Sequence, residues 1–251
     1  MKFTLKKQDT LYFHDGRGLR KEDIEAIKQF QRAGNKFGVN TGRSKCMYDY
    51  IQDIVNDKID FDFKIFANGS CILDEDGEVV YERFLPEDFL RYVMENIRGI
   101  PLTFHHQSGL YFSEAPAGVV DSPYTVMDYD YSLLPDLKIY ELSLDYSLPD
   151  AQEVMEKLAS YPGVVAAKNS KFCDFNAEGT SKGIGLVKAA ELFGFSKEQT
   201  AAIGDSYNDI PMIRDAEVGF TFPESDQPVK DAANVLCDGI NEAVDYLMNN
   251  E

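Results

Sequence analysis

Strands and helices alternate at both ends of this chain, and that alternation limits the folds open to it more than any other feature. Lys2-Phe3-Thr4-Leu5 reads as a strand, and Ile24, Ile27 and Phe30 recur at helical spacing before a stop at Gly34-Asn35. Phe37 to Asn40 reads as a second strand, Tyr48 to Val55 as a helix, and Phe63 to Ala67 as a third strand. Strands joined by helical crossovers build a parallel sheet. The pattern resumes near the other end. Ile184, Val187, Ala190 and Phe193 mark a helix, Thr200 to Gly204 a buried strand, Ile210 to Ile213 a helix start, Val218 to Phe220 a strand and Ile240 to Leu247 a closing helix.

Between these stretches the texture changes. Asn68-Gly69 and Asp76-Gly77 bracket a short strand over Ser70 to Leu73, as turns would. From Pro86 onward a helix carrying Phe89, Tyr92, Val93 and Ile97 precedes aromatic, alternating pieces at Leu102 to His105 and Leu110 to Ser113. Lys138 to Leu144 reads as a strand, Ala151 to Ser160 as a helix, and Val164 to Ala167 with Lys171 to Phe175 as a hairpin. The expected fold class is therefore α/β, a Rossmann-like parallel sheet core with an inserted α+β cap. The expected boundaries are 1–84 for the first part of the core, 85–171 for the cap and 172–251 for the second part of the core.

Composition narrows the function. The 25 basic against 43 acidic residues give a formal charge of -18, and such a surface repels phosphate backbones, so no nucleic-acid role is expected. Cys46, Cys71, Cys173 and Cys237 are too dispersed for a zinc knuckle, and His14, His105 and His106 are the only imidazoles. No apolar run is long enough for a membrane span or a signal-peptide core, so a cytoplasmic protein without membrane partners is expected. Nothing in the sequence sets the number of subunits.

The sharpest chemical signal is Gly204-Asp205-Ser206-Tyr207-Asn208-Asp209, directly after an apolar strand. Open parallel sheets bind ligands at the carboxyl ends of their strands. Two carboxylates four residues apart, with Asn208 between them, suit a hard cation such as magnesium; alternatively, Asp209 caps the next helix. Thr41-Gly42-Arg43 also ends a strand, where a hydroxyl and backbone amides can hold phosphate oxygens, or Thr41 can serve as a helix cap. Lys182 precedes a helix and offers a fixed positive charge or an ordinary solvated lysine. Asn68-Gly69 reads as a turn, and His105-His106 as a partly exposed pair on a strand. Phosphate-binding glycine loops and the Gly-x-Ser-x-Gly elbow are absent.

Taken in order, these segments resemble the haloacid dehalogenase superfamily, in its Cof-like subgroup of sugar-phosphate-type phosphatases with a large α+β cap. The resemblance spans essentially the whole chain. It implies that Thr41, with Gly42, binds the transferred phosphoryl group, and that Lys182 in Ser181-Lys182-Gly183 steadies nucleophile and phosphate. It implies further that Asp205 and Asp209 hold magnesium, with Asn208 and Arg43 supporting them from behind. The implied partner is a small phosphorylated metabolite.

The family's first motif departs from its pattern here. Its form is aspartate, any residue, aspartate, and then usually Gly-Thr-Leu. Asp9-Thr10-Leu11 aligns with the last three places, which sets Lys6 at the nucleophile and Gln8 at the acid–base position. The register through His14-Asp15-Gly16 sets Phe13 at the nucleophile and leaves too short a loop before the Ile24 helix. A protonated lysine is no nucleophile, and glutamine cannot exchange a proton as a carboxylic acid does. Magnesium, the cofactor that the resemblance implies, also loses a ligand. Three readings follow: a phosphate-binding protein with little or no standard phosphatase activity, a hydrolase using an unusual nucleophile or water held by Asp205, Asp209 or Asp9, or a structural or partner-binding module with a relic pocket.

Overall fold

The computed structural model describes residues 2–5, 11–13, 18–49, 58–113, 125–126, 136–168 and 171–250. The first part of the chain supplies β1 (Lys2–Leu5), β2 (Tyr12–Phe13), β3 (Gly18–Leu19), α1 (Lys21–Arg32), β4 (Lys36–Asn40), α2 (Lys45–Asp49), β5 (Phe63–Phe66), β6 (Cys71–Leu73) and β7 (Val79–Glu82). The middle supplies α3 (Glu87–Asn96), β8 (Leu102–His106), β9 (Gly109–Phe112), β10 (Thr125–Val126), β11 (Ile139–Asp145), α4 (Ala151–Ala159), β12 (Val164–Lys168) and β13 (Phe172–Ala177). The last part supplies α5 (Lys182–Leu192), β14 (Thr200–Ile203), α6 (Ile210–Asp215), β15 (Val218–Thr221), α7 (Gln227–Lys230), β16 (Val235–Leu236) and α8 (Ile240–Asn249).

Among the described residues one sheet runs β16-β15-β14-β1-β4-β5-β6-β7, parallel from β16 to β5 and antiparallel across β5, β6 and β7. The chain moves outward from β1 through β4 to β5 on one side, and from β14 through β15 to β16 on the other. The strand order therefore reverses at the β1/β14 boundary, where open sheets of this kind form a crevice at their carboxyl edge.

Side-chain alternation assigns the two faces of this sheet. Phe37, Val39, Ala201 and Ile203 pack with Ile27 and Phe30 of α1 and with Ile240, Val244 and Leu247 of α8. On the opposite face Ala202 meets Leu186, Met212 and Ile213, while Phe63 and Ile65 meet Ala189. Buried Asp23 ties the outer helices together: it takes both Arg20 Nε at 2.7 Å and the Asn241 backbone N–H at 2.9 Å. No helix among the described residues is long and apolar enough to cross a membrane.

The cap sheet runs β10-β9-β8-β11-β13-β12. Its apolar face, with Phe104, Leu142, Leu144, Cys173 and Phe175, is covered by Phe89 and Val93 of α3 and by Met155 and Leu158 of α4. The residues between them in sequence, His105, Glu141, Ser143, Asp174 and Asn176, point the other way. The last strand of this sheet reaches Ala177, past the expected boundary at 171, because β13 pairs with both β11 and β12.

Candidate active site at the core–cap junction

Three core segments meet at the carboxyl edge of the large sheet. Leu5, the residue before Lys6, is in register with Val39 and with Ile203. Thr41 follows Asn40 at the end of β4, and Asp205 follows Gly204 at the end of β14. Asn40 donates from its side-chain amide to the backbone carbonyl of Lys182 at 2.8 Å, which joins the Thr41 loop to the start of α5. Lys6, Gln8 and Asp9 lie outside the described residues, as do His14 and Asp15.

Lys182 opens α5 behind Ser181, whose side chain caps the helix by accepting from the Ile184 N–H at 3.1 Å. The Lys182 side chain is fully buried and its Nζ lies 2.6 Å from Asp209 Oδ1. The other oxygen of Asp209 accepts from the backbone N–H groups of Asp205 and Ser206 at 3.2 and 3.1 Å, and from Ser206 Oγ at 3.3 Å. Asp209 therefore orders its own loop and neutralises Lys182. Asn208 accepts from Ser206 Oγ at 2.8 Å, within the same turn.

Magnesium does not fit the described donors as they stand. Both oxygens of Asp209 accept from protein donors, and among the described residues Asp205 stands half-buried beside it. Among the described residues no group of three His, Cys, Asp or Glu side chains is placed to hold a metal ion. A hard divalent cation needs several oxygen ligands in one place.

Thr41 is buried, and its hydroxyl oxygen accepts from the Arg43 N–H at 3.2 Å. The backbone carbonyl of half-buried Arg43 accepts from the Ala67 N–H at 3.0 Å. Gly42 lies against Asn68, where a Cβ on Gly42 would sit 3.1 Å from Asn68 Oδ1.

Asn68-Gly69 does more than turn the chain. Ala67, Asn68 and Gly69 all take positive φ, at 48°, 52° and 100°. That bend packs Gly69 onto α5, with a Cβ on Gly69 only 2.4 Å from the Ser181 carbonyl and one on Gly185 only 2.8 Å from Gly69 Cα. Glycine at both places permits this approach. The same bend directs the Asn68 amide into the cap, where it donates to Glu141 Oε2 at 2.8 Å.

Glu141 belongs to the polar face of the cap sheet. Asn176 also donates to Glu141 Oε2, at 3.1 Å, and to the Ala67 carbonyl of the core at 3.1 Å. Ser143 donates to Asp174 Oδ1 at 2.7 Å and lies 2.9 Å from His105 Nε2. Burial, with the Asp174 charge beside it, holds the Glu141 carboxyl well above the usual carboxylate range. Burial likewise pushes Asp174 up to about 6 and His105 down to about 4.

His105 and His106 are thus buried, contrary to the expectation of a partly exposed pair. His106 sits between Ser108 and Asp136, whereas His105 faces the carboxylates. Sequence reasoning passed over Glu141, Asp174 and Asn176, although Glu141-Leu142-Ser143-Leu144 and Cys173-Asp174-Phe175-Asn176 each alternate polar with apolar residues.

Residues 8–245 match the family model of the haloacid dehalogenase-like hydrolases. The chain is 25% identical over 233 residues to the 5-amino-6-(5-phospho-D-ribitylamino)uracil phosphatase YcsE of Bacillus subtilis, covering 92% of this chain and 87% of the relative. Its fold is similar to that of the HAD subclass IIB sugar phosphatase BT4131, with TM-score 0.82, 21% identity and 98% of each chain covered. The phosphatase BT1666 from Bacteroides thetaiotaomicron is similar at TM-score 0.81 and 24% identity, over 99% of this chain and 94% of that one. By the extent of the family match and the capped α/β architecture alike, the chain belongs to the haloacid dehalogenase-like hydrolases.

Proposed function

We propose that this protein binds a small phosphate monoester between core and cap and turns it over slowly or not at all by the aspartate route. The observation that carries the reading is a contrast within one site. The elements suited to hold phosphate are present, whereas the sequence places Lys6 and Gln8 where the family's route needs two aspartates.

Thr41 supplies a hydroxyl whose oxygen accepts from the Arg43 N–H, an arrangement that leaves its own proton for a phosphate oxygen. Gly42 lets backbone approach the ligand, and the Lys182–Asp209 pair, with the Asn40 amide on the Lys182 carbonyl, fixes the start of α5 beside the Thr41 loop. β1 ends with Leu5 at this edge of the sheet, and the next residue in sequence, Lys6, carries an ammonium where the family pattern has an aspartate. With ammonium and amide at the two decisive places, neither an aspartyl-phosphate nor carboxylic-acid protonation of the leaving oxygen is available. A relative named as a phosphatase of a phosphoribityl compound supports a small phosphorylated metabolite as the ligand.

Calorimetric titration with inorganic phosphate and glucose 6-phosphate tests the binding half of this reading. Wild type is expected to bind both, and Thr41→Val to bind each about tenfold more weakly, the loss of roughly one hydrogen bond to a charged group. Absence of binding by wild type contradicts the proposal.

A further inference from the structure

The polar face of the cap sheet contains more acceptors than donors. Glu141 and His105 stand opposite each other on β11 and β8, and Ser143 and Asp174 stand opposite on β11 and β13. Ser143 has one proton, and giving it to Asp174 Oδ1 at 2.7 Å makes His105 Nε2 the donor to Ser143 Oγ at 2.9 Å. His105 Nδ1 is then a bare acceptor, buried and without a hydrogen-bond partner. It lies 3.8 Å from Glu141 Oε1, too far for a hydrogen bond and close enough for one donor group to bridge. Asn68 Oδ1, on a residue only 3% exposed, is a second buried acceptor without a partner, and it lies beside Gly42.

The charges lean the same way. Lys182 acts favourably on both Glu141 and Asp174, but its ammonium is bonded to Asp209, so the four groups together carry two negative charges when all are ionised. Buried carboxylates without a cation either hold protons or await a positive partner. Unmet acceptors and surplus negative charge both call for a donor that is also a cation.

We propose that Glu141, Asp174, His105 and Asn68 recognise a protonated amine on the organic part of the phosphate ester. This inference rests on the phosphate-site reading above. The phosphate lies against Thr41 and Gly42, and Asn68 spans from Gly42 to Glu141, so the amine is read about one side chain away from the phosphoryl group. The ammonium donates to Glu141 Oε1 and His105 Nδ1 and balances the carboxylate pair. An uncharged hydroxyl at the same place fills the acceptors but leaves the charge.

Calorimetry at pH 7.5 with matched esters provides the test: 2-aminoethyl against 2-hydroxyethyl phosphate, 3-aminopropyl against 3-hydroxypropyl phosphate, and glucosamine 6-phosphate against glucose 6-phosphate. In at least one pair the amine is expected to bind wild type about tenfold or more tighter than its hydroxyl partner. Glu141→Gln, and separately Asp174→Asn, should bring that ratio toward one; the ratio, not either affinity alone, is the readout. Equal affinities in all three pairs, with phosphate esters still bound, overturn amine recognition while leaving the phosphate site standing. A preference that survives in both variants overturns the assignment to these residues. Failure of inorganic phosphate and every ester to bind overturns both readings together.

Discussion

Lys182 Nζ and Asp209 Oδ1 lie 2.6 Å apart with both side chains fully removed from solvent, and that pair binds the start of α5 to the loop after β14. The pair bridges 27 residues of sequence and fixes Asp209 against α5. A carboxylate holding a buried ammonium and two backbone N–H groups stabilises the loop that presents Asp205. Removing one member strands the other's charge away from water.

Lys182→Met is therefore expected to lower stability by about 3–5 kcal/mol, read by urea unfolding. The double variant Lys182→Met, Asp209→Asn is expected to lose less than the sum of the single losses, because no unpaired charge is left behind. Strict additivity would show that the two side chains act independently.

The chain's architecture is legible from its sequence because strand ends and helix periods are local signals. Ile24, Ile27 and Phe30 mark α1, and the apolar run before Asp205 marks β14. The core half of the candidate site is legible for the same reason, since Thr41, Lys182 and Asp205 each lie at a strand–helix junction. The cap half is harder to read. Glu141, Asp174 and His105 are brought together by register across three strands, and pairing register depends on contacts remote in sequence. Asn68 was hidden for another reason: a turn residue announces its backbone conformation, and says nothing of what its side chain reaches.

The approach of Gly69 to Gly185 makes a second prediction. Gly185→Ala places a methyl group 2.8 Å from Gly69 Cα and is expected to cost about 1–3 kcal/mol through overpacking. Gly69→Ala is expected to cost more, because its φ of 100° disfavours any side chain and its Cβ would meet the Ser181 carbonyl. Thermal unfolding of both variants checks the order. Wild-type stability in Gly69→Ala would mean that the bend does not hold α5 in place.

Stability should also depend on pH through the cap carboxylates. The folded Asp174 carboxyl, raised by burial from 3.8 to about 6, holds its proton more tightly than in the unfolded chain. Its contribution is thus fully present below about pH 4 and lost as pH rises through about 6. His105, lowered by burial from 6.5 to about 4, acts in the opposite sense, contributing above pH 6.5 and losing that contribution as pH falls through about 4. Comparing wild type with Asp174→Asn cancels what His105 contributes to both. Wild-type stability relative to the variant is expected to fall by about 2 kcal/mol between pH 4 and 6.5. A difference that stays flat, or rises, over this range would place Asp174 in contact with solvent or with a cation.

The most direct test of the central claim is the release of inorganic phosphate from sugar phosphates at saturating magnesium, with trace contaminants controlled. With Lys6 and Gln8 in the first motif, wild type is expected to release phosphate no faster than the substrate blank. The double variant Lys6→Asp, Gln8→Asp is expected to rise measurably above it, since it restores nucleophile and acid together. Rapid magnesium-dependent release by wild type, abolished by Asp205→Ala, would contradict the account.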